Sequence, residues 1–170
     1  MTMFSQSASA IKCLALALAF AAGTCAAAPL QEASPFSSLA GHWSGNGTID
    51  LASGTSEPIK CRAAYDVLDQ DKNLQLDIRC ASASYNFDLR GSAKLSGDAI
   101  TGSWSESTRN AAGTIAGEAS GNRFQVTAKG PSFTATLTLV TSGDKQSVVI
   151  QSEEAQSTVK RALITLQRAG

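Results

Sequence analysis

The chain has 170 residues, 14 Lys+Arg against 14 Asp+Glu, and a single histidine. Balanced charge gives no electrostatic case for nucleic acid, and one histidine leaves too few donors for the usual zinc set. Residues 1–28 read as a secretory signal peptide of bacterial type. Lys12 precedes an apolar run from Cys13 to Ala22, and the small residues Ala26, Ala27 and Ala28 form the exit. The run is short for a bilayer span, so no transmembrane segment is expected in the mature chain. Cleavage near Ala26-Ala28 would deliver a periplasmic or secreted protein and remove Lys12, Cys13 and Cys25. Residues 29–38, with two prolines and three serines, read as a linker.

From residue 39 to residue 170 the chain reads as one domain. Polar and apolar side chains alternate with period two, and no stretch repeats at helical spacing. Ten strands are expected, at 41–51, 59–68, 73–82, 84–95, 99–107, 112–120, 123–130, 132–141, 145–151 and 157–168. Pro58 and Pro131 fall at strand boundaries.

Cys61 and Cys80 set the first register. They are the only cysteines left after cleavage, an even count in an oxidising compartment, so a disulfide is expected. Placed opposite each other in an antiparallel hairpin, they align Ala63 with Ile78, Tyr65 with Leu76 and Val67 with Leu74. Every apolar residue then falls on one face. A Gly97-Asp98 turn pairs Leu95 with Ile100 and Gly91 with Trp104, whose indole would cover the missing side chain. Gly121-Asn122 pairs Ala119 with Phe124 and Ile115 with Ala128. Gly130-Pro131 pairs Ala128 with Phe133 and Val126 with Ala135. Gly143-Asp144 pairs Leu139 with Val148. Near the end, Val159 is odd while Ala162, Ile164 and Leu166 are even, which predicts a bulge.

A long meander with one apolar face hides that face and both edges by closing on itself. The expected fold is therefore all-β, an antiparallel up-and-down barrel of about ten strands, with a two-sheet sandwich as the alternative. Ser44, Asn46, Lys60, Arg62, Asp66, Asp88, Arg90, Arg123 and Lys129 share the polar face and point outward in a soluble barrel. An outer-membrane barrel would invert this, but aromatics are 6% and form no girdles. The interior mixes Trp43, Ile49, Tyr65, Phe87, Trp104, Phe124 and Phe133 with Gly45, Gly47, Ala63, Gly91, Gly102, Gly117 and Ala135. The small residues leave a ligand pocket or let the strands bend so that the barrel flattens.

No catalytic constellation stands out, and a non-enzymatic protein is expected. A Ser-His-Asp set would need His42, which neighbours Trp43 and should face solvent. No metal and no cofactor are expected. The ligand-binding candidates are Trp43, Tyr65, Trp104, Glu106 and Arg109. Glu106 shares the inward face with Trp104, and Arg109 follows in the next turn. A second grouping lies on the outer face, where Arg62 opposes Arg79 and Asp77 sits diagonal to Arg62, placed to relieve the like charges. The expected partner is a small apolar ligand or an envelope protein.

Gly41-His42-Trp43-Ser44-Gly45-Asn46-Gly47 opens the first strand with Gly-x-Trp-x-Gly-x-Gly. This resembles the start of calycin barrels, and its extended form is similar to that of nitrobindin-like ten-stranded barrels. The resemblance implies a closed barrel that holds a ligand. The chain lacks the C-terminal histidine through which the latter family ligates haem iron, so haem does not follow. A secreted barrel with this opening and one disulfide also resembles periplasmic inhibitors of metalloproteases, which implies an inhibitory role for residues 29–38. The mature pattern further resembles small secreted β-barrel proteins of Gram-negative bacteria.

Overall fold

A computed structural model describes residues 33–131 and 133–170. The signal-peptide reading and the first part of the linker lie outside the described residues. The ten strands are β1 (Gly41–Leu51), β2 (Ser56–Leu68), β3 (Asn73–Ala81), β4 (Asn86–Ser96), β5 (Ala99–Glu106), β6 (Ala111–Ser120), β7 (Arg123–Gly130), β8 (Phe133–Ser142), β9 (Lys145–Ser152) and β10 (Val159–Arg168). Each pairs with its chain neighbours, and β1 pairs with β10, so the meander closes into a barrel and leaves no free edge.

The hydrophobic alternation sets the registers. Cys61 faces Cys80 in a disulfide, with Tyr65 opposite Leu76 and Val67 opposite Leu74. Leu95 meets Ile100 and Gly91 meets Trp104. Ala119 meets Phe124, and Leu139 meets Val148. Gly97, Gly121 and Gly143 adopt positive φ of 61°, 57° and 55°, at the turn position that primed hairpins reserve for glycine. The register of β1 on β10 shifts between Asp50 and Leu51, which skips Lys160 and switches the inward parity from Val159 to Ala162.

Two expectations need correction. The β7–β8 pairing is Val126 with Leu137 and Ala128 with Ala135, two residues away from the expected alignment. Gly130 pairs with Phe133, so Pro131 takes the first central turn position. Proline's fixed φ suits that position and disfavours the second. An even shift leaves every side chain on its expected face. Pro58 lies inside β2, opposite Thr48. β2 pairs with β3 only from Lys60 onward, so nothing on that side needs the missing proline N–H.

Inward glycines let neighbouring strands approach closely. A Cβ on Gly45 or Gly47 would stand 2.0 Å from a carbonyl oxygen of β10. A Cβ on Gly113 or Gly117 would stand 1.8 or 2.1 Å from one of β7. A Cβ on Gly102 of β5 would likewise stand 2.0 Å from a carbonyl oxygen of β4, so the strands approach too closely for a side chain at several points around the ring. The outer wall is polar. Among the described residues Leu68 and Leu163 are its exposed large apolar side chains, the reverse of the apolar band of a membrane barrel.

Residues 35–38 are more than a linker. Pro35–Ser38 form a 3-10 turn, and Phe36 is 1% exposed within the hydrophobic core. Phe36 stacks on Phe124 at 6.1 Å between ring centroids. The Trp43 indole N–H donates to the Leu39 carbonyl at 2.7 Å. Ser34 Oγ donates to the carbonyl of Asp71 at 2.5 Å, in a β2–β3 turn where Asp69, Gln70 and Asp71 all have positive φ. Arg168 lies 4.2 Å above the Trp43 ring and donates to the carbonyls of Ser38 and Ala40. The chain entering β1 thus plugs one barrel end.

Candidate functional site

The two barrel ends differ. At the plugged end the inward Trp43, Tyr65, Leu95, Phe124 and Leu166 are all buried. At the other end Ile49, Ile59 and Trp104 are buried as well, but there and along the middle of the strands the inward Leu76, Ile78, Phe87, Leu89, Ile115, Val126, Phe133, Leu137 and Ile150 are only half-buried. Their chain neighbours point outward, so the surface they leave uncovered faces the barrel interior. These inward side chains keep part of their apolar surface uncovered toward the end away from Phe36, and apolar surface of this kind lines small-molecule sites.

Five residues are expected near such a lumen, and the structure separates them. Tyr65 is buried on the plugged side, near the β1–β2 start where it pairs with Gly41. Burial pushes its phenol far above the ordinary range, so it stays a neutral hydroxyl. Trp43 belongs to the same end. Trp104, Glu106 and Arg109 belong to the open end. The Trp104 ring packs edge-on against Phe133 at 5.7 Å and lies over Gly113 and Gly130, where an added Cβ would collide with it. It does not cover Gly91; Leu76 does that. The Trp104 indole N–H is buried without a hydrogen-bond partner.

Glu106 is 6% exposed and fully engaged. Its Oε1 accepts from the Asp88 N–H at 3.0 Å, the Thr108 N–H at 3.1 Å and the Thr108 hydroxyl at 2.6 Å. Its Oε2 accepts from the Arg109 N–H at 2.9 Å. Burial pushes the carboxyl upward, but the donors from Thr108, Asp88 and Arg109 together hold it below its ordinary value. Glu106 therefore shapes the β5–β6 turn and does not offer a free carboxylate to a ligand. That turn positions Arg109 at the mouth. Its guanidinium lies 4.8 Å from the Phe87 centroid and 5.8 Å from Tyr85, and it donates to the Asn86 carbonyl at 3.0 Å.

The outer patch sits elsewhere, in a shallow open groove across β1–β4 that also carries Ser44, Asn46, Lys60 and Asn86. Arg62 does face Arg79. Asp77, however, pairs with Arg79 at 3.6 Å and Arg90 at 3.3 Å, and Asp88 also lies 3.6 Å from Arg79. The expected relief of Arg62 by Asp77 does not form, because both flanking arginines lie closer to Asp77 across its own strand and β4. His42 is exposed on the outer wall.

Sequence reasoning passed over two further inward residues. Gln146 and Thr141 face each other across β8 and β9 and are buried, at 0% and 3% exposure. Their signal was available: each carries the parity of an apolar series, Val148 and Ile150 for one, Leu137 and Leu139 for the other.

No family profile and no curated protein matches the sequence. Solved structures do match its fold. Rv2717c from M. tuberculosis superposes with a TM-score of 0.64 at 11% identity, over 79% of this chain and 94% of that one. The S-type phycobiliprotein lyase CPES from Guillardia theta superposes with a TM-score of 0.58 at 9% identity, over 79% of this chain and 90% of that one. At these identities the likeness is one of fold alone, a closed ten-stranded antiparallel barrel.

Proposed function

We propose that this protein is a non-enzymatic, secreted or periplasmic barrel that takes a small apolar ligand into the cleft between its walls, from the end opposite Phe36. The observation that carries the reading is the set of inward apolar side chains left half-buried on β3, β4 and β6–β9, beside a core that is otherwise closed. A filled barrel would bury them, since each buried methylene is worth about 0.8 kcal/mol. The placement of His42 on the outer wall and the bonding of Cys61 to Cys80 support a binding role over catalysis. The disulfide supports an oxidising compartment. Burial of Phe36 favours ligand binding over an inhibitory N-terminal trunk, because the segment is committed to its own barrel.

The test is titration of the full chain with the uncharged fluorophore N-phenyl-1-naphthylamine. Saturable one-to-one binding is expected. Leu137→Arg, which sets a charge among the half-buried apolar residues, should abolish it, and Thr138→Arg on the outer wall should not. No saturable binding, or equal loss in both variants, sinks the reading.

A further inference from the structure

Gln146 and Thr141 form a directly opposed pair on the inward face. Neither the amide nitrogen nor the amide oxygen of Gln146 has a hydrogen-bond partner, and the Thr141 hydroxyl has none either. Buried polar atoms in folded proteins are nearly always paired. Leucine at position 146 would occupy a similar volume without that cost. Three orphaned atoms on two adjacent side chains therefore mark a place where the sequence holds polarity for something other than the core.

Its position in the lumen says what that is. Along β8 and β9 the inward pairs run in layers: Leu137 with Ile150, then Leu139 with Val148, then Thr141 with Gln146. The first layer is half-buried and lies toward the open end, the second is buried, and the third is the innermost. Leu166 flanks Gln146 on β10. Apolar layers ending in a few convergent polar groups have the composition of a small-molecule site, where the polar groups fix orientation.

We propose that Gln146 and Thr141 are the recognition subsite for the head of an apolar ligand, and that this head is an uncharged group that both donates and accepts, a hydroxyl or a primary amide. The proposal rests on the lumen being the ligand site. Gln146 offers two N–H donors and a carbonyl acceptor, and the Thr141 hydroxyl serves in either sense. A group with both functions satisfies all three orphaned atoms; an ether satisfies only the donors. An ionised head would be stripped of water with no counter-charge. Glu106 belongs to the opposite end and is occupied by its own turn. Tyr65 is a buried neutral phenol. Arg168, at the rim of this end, is held by Asp144 and by the carbonyls of Ser38 and Ala40. The head reaches the subsite by turning aside the Leu139 and Val148 side chains, and the tail then lies along Leu137 and Ile150 toward the mouth.

The experiment is displacement of N-phenyl-1-naphthylamine from the full chain by four competitors built on a twelve-carbon chain: dodecanol, dodecanamide, dodecyl methyl ether and dodecanoate. The alcohol and the amide should displace at about tenfold lower concentration than the ether or the carboxylate, the worth of one or two hydrogen bonds. Gln146→Leu should bring the four competitors within about threefold of one another. Thr141→Val makes the same test if Gln146→Leu does not fold. Equal displacement by all four competitors in the native protein overturns the proposal, and so does discrimination that survives both substitutions. A crystal structure of the dodecanol complex with an internal water alone at Gln146 overturns it as well. If the fluorophore itself does not bind, the lumen reading fails and takes this one with it, so the two failures are distinguishable.

Discussion

At one end of the barrel Phe36 and Trp43 are each 1% exposed, while at the other Phe87, Leu89 and Phe133 face inward yet stay half-buried. Both ends are made of the same hairpin meander. The difference comes from a few residues ahead of β1 that fold back as a 3-10 turn. Backbone bonds stitch neighbouring strands and turns at both ends: Leu95, Ala119, Thr141 and Arg168 donate to the carbonyls of Lys72, Asp98, Asn122 and Asp144 at one, and Ala52, Ser107 and Glu153 to those of Thr158, Asp88 and Thr134 at the other. A closed sheet removes its edges but not its ends, and each end needs its own solution. Here one end is closed by the chain itself, while the other leaves inward apolar side chains half-buried.

The largest expected effect breaks the plug. Phe36→Ala should destabilise the protein by about 3–4 kcal/mol, read as a shift in the urea midpoint. Binding of N-phenyl-1-naphthylamine at low urea should persist, since the proposed site opens at the far end; loss of both together would mean that the ends are not separate. Next comes the disulfide. It spans a sequence separation of 19 and ties β2 to β3 at the side away from their own turn. Cys61→Ser with Cys80→Ser should cost about 3 kcal/mol, and adding dithiothreitol to the native protein should match it. An unchanged melting temperature would contradict the structural role.

The smallest effect sharpens the open end. Glu106 is held below its ordinary value of 4.5, so the stability it contributes is present above that value and lost as pH falls through the folded-state value. Glu106→Gln should lower stability at pH 7 by about 1–2 kcal/mol, the scale of hydrogen bonds to a charged group. It should also flatten the decline in melting temperature on acidification. Part of the decline should remain, because Glu57 is also held low by Ser84 and Ser82. An acid profile identical to that of the native protein would remove Glu106 from this role.

The walls were legible in the sequence and the ends were not. Period-two alternation and glycine turns fix which residues face each other, because a slip of one residue would expose a whole apolar face. A slip of two carries no such penalty, and that is where the β7–β8 alignment failed, with Pro131 as the missed arbiter. The plug was hidden for a different reason: Phe36 is one apolar residue among serines and prolines, and no local period announces a tertiary contact. The candidate site was legible as a parity set, but its chemistry was not. Glu106 reads as a free inward carboxylate until the donors of Thr108 and Arg109 are seen to curl back on it. Gln146 and Thr141 were visible as polar breaks in apolar series, and only burial without partners makes them stand out.

β1 starts and β10 ends at the plugged side of the barrel, where Arg168 reaches Ser38 and Ala40. An affinity handle or surface tether appended after Gly170 therefore hangs from the side away from the mouth. A layer of molecules immobilised in this way would present every opening to the surrounding solution.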